Sequence, residues 1–231
     1  MAETGYSRSP KLVRGALVQL AEDVIGVIPN VIPFQYNPET LTRKLTPWNP
    51  FEVDQTGRGQ IAPTAQPFDP KEAVSLEIYF NAADQLEDSD PIAAQIGVAD
   101  RIAAIEKLLF PSQGLLGDLL NAAAALVGAE QPPKRPTVPV TLLVWGPGRI
   151  LPVRVTDYSI DETLFLPSLQ PLMAKITVAL EVLTPDVFRC ESGPAIELAV
   201  AAYRFFRLQQ STLALQYNAR NAAQALSLLP F

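Results

Sequence analysis

The sequence predicts a mainly β protein with some α-helix: a small antiparallel β-barrel or sandwich with one packed helix and a helical C-terminal tail. Three observations predict this fold. About seven short segments alternate apolar and polar residues, which is typical of strands with one buried face. Turn residues separate several neighbouring segments by distances that suit antiparallel hairpins. Residues 194–228 carry apolar residues at helical spacing, with no glycine or proline after Pro194.

Two of the predicted strands show the alternation most clearly. Residues 74–80 and 174–182 place an apolar side chain at every second position. The other predicted strands are residues 12–20, 31–36, 41–45, 140–145 and 150–160. The first two are expected to pair, the third follows the Asn37-Pro38 turn, and the last two are joined by Gly146-Pro147-Gly148.

One helix is predicted between the strands. Asp90 suits the N-cap, Pro91 suits the first helical position, and Pro111 ends the segment. The apolar residues between them recur at roughly helical spacing. We therefore expect a single helix over one open end or one face of the barrel.

The 231 residues divide into a β-domain at 1–190 and a helical extension at 191–231. Within the domain, residues 46–70 contain five prolines and predict a long irregular loop. Residues 111–136 predict an Ala/Leu-rich helical insertion. The apolar side chains of the tail need a partner surface, and Phe205, Phe206 and Leu208 are expected to be exposed apolar surface that meets another chain.

The composition excludes several classes of function. The chain has 48% apolar residues, enough for a core, and its net charge of -6 disfavours binding to nucleic acid or anionic membranes. It contains no histidine and one cysteine, which excludes Ser-His-Asp catalysis and His-ligated metal sites. We predict no catalytic residue, no metal and no cofactor. The polar start and the lack of a long apolar run predict folding in the cytoplasm without membrane insertion.

The remaining chemically suggestive residues have simpler explanations. The acidic residues of segment 84–90 lack the spacing of a calcium loop and are expected to be solvated, with one of them capping the helix. Asp161 and Glu162, as neighbours in a strand, point to opposite faces. Cys190 has no histidine to activate it. Trp145 is expected in the core, whereas Trp48 either packs locally or anchors an interface.

Five segments carry a family resemblance. Phe34-Gln35-Tyr36-Asn37-Pro38-Glu39-Thr40-Leu41 is similar to the pattern F-x-[FY]-N-P-x-x-L, and residues 76–81, 102–111, 139–146 and 155–171 follow in the same order as the family's other landmarks. The chain thereby resembles the tube-domain family of contractile injection systems, the phage-tail-like particles that drive a rigid tube through a target membrane. The last segment includes Tyr158, Phe165 and Pro171 of the family's pattern.

The chain also departs from the family. Asn81 stands where the family has an acidic residue, Glu162 where it has Tyr, and Leu169 where it has Gly. The helical tail takes the place of the peptidoglycan-binding LysM module that family members often carry. A role in binding the cell wall is therefore not carried over to this chain.

The resemblance implies a non-enzymatic baseplate hub or tube initiator with a β-barrel of the phage tail-tube type. Its implied partners are further copies of itself in a six-fold ring, the spike protein, the inner tube protein and the baseplate wedge proteins. It would be assembled in the cytoplasm, with release inside the particle left open. The residues expected to serve the fold or subunit contacts are Phe34, Tyr36, Asn37, Pro38, Trp48, Trp145, Gly146, Tyr158, Phe165, Tyr203, Phe205 and Phe206.

Two other classes of function stay open from the residues alone. One is a non-catalytic β-module that binds carbohydrate or peptide and carries a helical oligomerisation tail. The other, ranked below both, is an enzyme that works through paired carboxylates.

Overall fold

The computed structural model describes residues 13–23, 26–49, 64, 66–111 and 138–228. This part of the chain contains seven strands: β1 (Ala16–Asp23), β2 (Gly26–Pro33), β3 (Leu41–Thr46), β4 (Lys71–Asn81), β5 (Val140–Val144), β6 (Ile150–Phe165) and β7 (Pro171–Val182). Its α-helices are α1 (Ala83–Glu87), α2 (Pro91–Ile96), α3 (Ala99–Glu106) and α4 (Pro194–Leu228), and a short 3-10 helix spans Pro185–Phe188. Most of the predicted loop at 46–70 and nearly all of the insertion at 111–136 lie outside the described residues.

All seven strands belong to one antiparallel sheet in the order β2-β1-β5-β6-β7-β4-β3. Four pairs of consecutive strands are also paired in the sheet: β1 with β2, β3 with β4, β5 with β6, and β6 with β7. The predicted mainly β, antiparallel fold with a C-terminal helix is therefore confirmed. In this order β2 and β3 are the two edge strands.

The sheet is strongly curved. Because β1, β5, β6 and β7 lie between β2 and β4, a flat sheet would separate β2 from β4 by roughly 24 Å. However, Gln35, which follows the end of β2, donates from Nε2 to the Asn81 carbonyl at the end of β4 over 2.8 Å. Within β6, the pairing with β7 shifts register between Val155 and Asp157, which bends the strand. Closure into a barrel is not shown by the pairing.

The predicted alternation in β4 and β7 is confirmed by burial. The buried apolar side chains of these two strands are Val74, Leu76, Ile78, Phe80, Ala174, Ile176, Val178, Leu180 and Val182. Their neighbours along β4 face solvent. Each large apolar side chain buried in this way stabilises the fold by about 1.5–3 kcal/mol relative to its exposure. The inner face of these strands is therefore the centre of the core.

The first hairpin lies at different bounds from those predicted. β1 begins at Ala16 instead of residue 12, and β2 ends at Pro33 instead of residue 36. The chain leaves the strand there because Phe34 turns into the core and the Asn37 side chain binds the backbone of Val13 and Gly15. The strand predicted at 150–160 also has different bounds, since β6 continues to Phe165.

The prediction of one helix over residues 90–111 is wrong, because α2 and α3 are separate helices. Gly97 interrupts them with a φ of +58°, and a Cβ at this position would overlap the Pro171 carbonyl oxygen. That same oxygen accepts a hydrogen bond from the Val98 N–H at 2.9 Å. The start is as predicted: the Asp90 carboxylate accepts from the Ile92 N–H at 2.8 Å and caps α2.

The first half of α4 packs on the sheet of its own chain. Its most buried side chains are Ala195, Ala199, Tyr203 and Phe206, which recur every three or four positions. Ala195 contacts a cluster with Leu20 and Leu142, on the faces of β1 and β5 opposite to Leu17 and Leu143 of the main core. α4 thus covers the second face of these strands, which explains why both faces of β1 and β5 are apolar.

The second half of α4 leaves the sheet. The expectation that Phe206 is exposed surface is wrong, because Phe206, like Tyr203, is buried against its own sheet. The expectation is confirmed for Phe205 and Leu208, and every residue from 211 to 220 is exposed. Within the described residues, no helix has the combined length and apolar content that crossing a bilayer requires.

Candidate functional site

Residues 34–41, the first of the five segments that resemble the family, connect the start of β1 to the core. Phe34 is fully buried, and its N–H donates to the Gly15 carbonyl at 2.9 Å. Its ring centroid lies 6.3 Å from that of Trp145, in a tilted arrangement that aromatic pairs favour. A Cβ on Gly15 would come within 2.7 Å of the Phe34 ring. Gly15 is therefore required by this packing, and a lone glycine inside the strand predicted at 12–20 was the only signal for it in the sequence.

Asn37 holds the entry to β1 through its side-chain amide. Its Oδ1 accepts from the Gly15 N–H and its Nδ2 donates to the Val13 carbonyl, both at 2.9 Å. Pro38 follows it in a buried position. The Asn37-Pro38 pair thus fixes the backbone within its own chain, in keeping with the usual role of these residues in bends.

Gln35 joins three elements that are distant in the sequence. Its Oε1 accepts from the Asn81 N–H at 2.9 Å and from Arg101 Nη1 at 2.8 Å, and its Nε2 donates back to the Asn81 carbonyl. Next to it, the half-exposed Tyr36 donates from its hydroxyl to Asp84 at 3.4 Å. Sequence reasoning missed Gln35 and Arg101, because neither occupies a fixed position of the family pattern or a periodic face.

Trp145 and Gly146 close the turn between β5 and β6. The Trp145 N–H donates to the Arg149 carbonyl at 2.8 Å, and Gly146 has a φ of +76°, which glycine adopts without steric cost. Trp145 is partly buried beside Phe34. Trp48 is also partly buried, but most of the loop that follows it lies outside the described residues.

The hairpin between β6 and β7 ends in an exposed apolar tip, made of Leu164, Phe165 and Leu169. Leu166 donates to the Gln170 carbonyl and Leu169 donates to the Leu166 carbonyl, each over 2.8 Å. Leu164 and Leu169 have φ values of +54° and +63°, a left-handed conformation that is costly for residues other than glycine. Leu169 therefore has a left-handed backbone, which glycine adopts most readily, at the position where the family pattern has glycine.

Tyr158 lies in the middle of β6, opposite Val178 of β7, and is half-buried beside α3. The pKa of Tyr158 is raised to about 12, first by burial and second by the negative charge of Glu106. Both causes favour the neutral phenol. Tyr158 is thus a neutral aromatic residue at ordinary pH, packed between the sheet and the helix α3.

Two aromatic residues of α4 connect the tail to the strands below it. The Tyr203 hydroxyl donates to Asp69 Oδ2 at 2.8 Å, and burial together with this hydrogen bond raises the pKa of Tyr203 above its usual value. The Arg43 guanidinium lies over the Phe206 ring, 5.4 Å from its centroid, and binds the Glu72 carboxylate. Both aromatic residues therefore serve contacts within their own chain.

A shallow polar groove of about 380 Å³ lies on the outer face of β3, β4 and β7. Its polar lining residues are Glu39, Thr40, Thr42, Ser75, Glu77, Tyr79 and Thr177. At its side Lys175 donates to Glu77 at 2.9 Å and lies 5.8 Å from the Tyr79 ring centroid. The hydrogen bond between Lys175 and Glu77 lowers the pKa of Glu77 and raises that of Lys175. Hydroxyl and carboxylate groups of this kind can bind sugar hydroxyls or peptide amides.

The described residues hold no cluster of three or more His, Cys, Asp or Glu side chains placed to bind a metal ion. Cys190 is exposed. No protein-family model matches the chain, and no curated protein sequence matches it. The resemblance to the tube-domain family therefore stays a prediction.

Proposed function

We propose that this chain is a non-enzymatic structural subunit of a contractile injection system. In this proposal six copies form a ring at the baseplate, between the spike protein and the inner tube protein and surrounded by wedge proteins. The curved sheet would be a barrel of the phage tail-tube type. The chain would be assembled in the cytoplasm and carried in the particle.

Leu169 is the observation that carries this proposal. Its side chain is 81% exposed and its backbone is left-handed. In an isolated subunit this position costs conformational energy, while the leucine side chain gains little burial in return. The exposed Leu164 and Phe165 beside it extend the apolar surface. A subunit of a permanent assembly buries such surface against its neighbour, so a contact with another protein accounts for a leucine here.

The edges of the sheet give further support. Among the described strands, β2 and β3 each have one strand neighbour. Such edges can pair with another chain. In a ring, one patch of each copy meets a different patch of the next copy, and two distinct edges on one curved sheet supply such a pair.

Electron microscopy and native mass spectrometry test the proposal. The full chain is examined alone and together with the spike and tube proteins encoded by neighbouring genes. We expect rings of six copies with an open centre, in at least one of these mixtures. The proposal is wrong if no mixture contains a ring, or if no spike and tube genes lie beside the gene of this chain.

The polar groove beside Tyr79 favours the alternative function, a module that binds carbohydrate or peptide. This alternative predicts saturable binding to a glycan or peptide array, with loss of binding in Tyr79→Ala. The ring proposal predicts no such binding. The same purified chain therefore distinguishes the two functions.

A further inference from the structure

α4 has a second apolar face, on the side of the helix opposite to the sheet. Starting at Leu198, steps of three and four residues lead to Leu, Ala, Phe or Thr at every position up to Ala219, and the sequence continues the same spacing to Leu226. At 100° per residue these positions form one stripe. The stripe of Ala195 and Phe206, which packs on the sheet, lies roughly opposite. We call the stripe from Leu198 to Ala219 the outer seam.

The large residues of the outer seam are exposed in the single chain. Leu198 and Phe205 are exposed above the half of α4 that packs on the sheet, and Leu208 and Leu215 are 64% and 69% exposed in the half that leaves it. The seam is therefore continuous across both halves of the helix. Because the sheet lies on the opposite side, it does not block access to this face.

The spacing of the outer seam points to another helix as its partner. Alternating steps of three and four residues are the pattern by which two helices interlock side chains along a shared seam. The stripe on the sheet side is interrupted beyond Phe206, where the same steps lead to Gln210, Leu213, Tyr217 and Arg220. The outer seam is thus the face of α4 suited to pairing with a helix over its full length.

The charges indicate that this helix belongs to a second copy. No charged residue occurs between Arg207 and Arg220, and the positions that flank the seam there include Gln209 and Gln216. A helix with charged flanking residues would find no opposite charge here. A second α4 brings an equally neutral surface, so the two faces match in spite of the net charge of -6 of each chain.

We infer that two copies of this chain pair through the outer seams of their α4 helices in antiparallel orientation. Antiparallel pairing can set Leu208 against Ala219 of the second copy and Leu215 against Thr212 of the second copy. Each layer then joins one large and one small side chain, which fills the interface evenly. Parallel pairing would instead set Phe205 against Phe205 and Ala219 against Ala219, with crowding in one layer and a gap in another.

This inference does not depend on the proposed ring. An antiparallel pair of identical helices is a closed two-fold contact, whereas a ring needs a contact between two different patches. The pair is therefore a property of the free chain. Failure of either proposal leaves the other unaffected.

Sedimentation equilibrium on the full chain tests the inference. We expect a dimer, and we expect Leu208→Gln with Leu215→Gln to weaken it by at least roughly a thousandfold, since four leucine side chains lose their burial in each dimer. The matched control is Leu213→Gln with Tyr217→Gln, which changes two residues of the same half with exposures of 61% and 68% but outside the seam. This control should leave the dimer intact.

A second set of variants tests the orientation. Leu208→Ala alone removes the large partner of a layer, and Ala219→Leu alone overfills it, so each should weaken the dimer at least tenfold. Combined in one chain, the two changes exchange large and small within the same antiparallel layer and should restore the dimer. Parallel pairing would instead predict that Ala219→Leu alone strengthens the dimer, because the leucines fill the gap between the two Ala219 side chains.

The outcomes that overturn the inference are distinct. A monomeric wild-type chain, a dimer that tolerates the change at both seam leucines, or equal loss in the control would each refute pairing through the seam. A combined variant no better than the single ones would refute the antiparallel register. Circular dichroism and melting of every variant verify that the exposed positions were changed without unfolding the chain.

Discussion

Replacing Leu169 with glycine should make the single subunit more stable and should weaken the proposed ring. The leucine holds a left-handed backbone at the hairpin tip while its side chain is 81% exposed. Glycine adopts this backbone without strain, but it removes the apolar side chain. The two effects have opposite signs, which an ordinary surface or core residue would not produce.

The magnitudes follow from the geometry of Leu169. A left-handed conformation costs a non-glycine residue about 1–2 kcal/mol, and glycine loses about 0.5–1 kcal/mol more backbone entropy on folding. The free energy of unfolding should therefore rise by about 0.5–1 kcal/mol, and the melting temperature by about 1–4 °C for a chain of this size. Burial of one leucine is worth about 1.5–3 kcal/mol, so each subunit contact should weaken at least about tenfold.

Two assays on the same protein measure these effects. Urea denaturation of Leu169→Gly at low concentration gives the free energy of unfolding, and mass photometry gives the fraction of chains in the proposed rings. Ser89→Gly is the matched control, because Ser89 also has a φ of +58° but carries no apolar side chain. The control should be stabilised to a similar extent with normal assembly. A destabilised Leu169→Gly, or one that assembles like the wild type, would refute the reasoning.

Three further predictions concern the fold and are measured by urea denaturation followed by circular dichroism. Gly97→Ala should lower the free energy of unfolding by about 3 kcal/mol or more, since the added Cβ overlaps the Pro171 carbonyl and φ is +58°; a neutral effect would contradict the close contact. Asn37→Ala should cost about 1–2 kcal/mol because two hydrogen bonds are lost, and Asn37→Asp should cost less because it still accepts from the Gly15 N–H; equal losses would argue against that bond. The pKa of Tyr158 is raised from 10.0 to about 12, so its contribution to stability is complete below pH 10 and is lost as the pH rises toward 12. Tyr158→Phe should therefore lose less stability than the wild type between pH 10 and 12, and identical slopes would contradict the assignment.

The sequence predicted those parts of the fold that depend on local patterns. The alternation in β4 and β7 identified the core face because the side chains of a strand point to opposite faces at successive positions. Asp90 and Pro91 identified the start of α2 because capping depends on adjacent residues. In both cases the information lies within a few positions of the chain.

The parts that the sequence did not predict depend on distant contacts. The break at Gly97 is set by the Pro171 carbonyl, which no local pattern reports. Apolar residues on two sides of α4 left open which side meets the sheet, so Phe206 was expected outside although it is buried. Likewise the hydrogen bond between Gln35 and Arg101 joins two single polar residues. Only the curvature of the sheet brings these residues together.

α4 runs without glycine or proline from its packed half into its free half, so the two halves form one continuous helix without a kink. The direction in which the free half presents its faces is therefore set by the phase of the helix where it leaves the sheet. One residue inserted after Arg207 would turn everything beyond it by 100°, whereas seven would lengthen the helix by about 10 Å and almost restore the phase. The number of residues between the sheet and the end of α4 thus sets both the direction in which the faces of the free half point and the length of the helix.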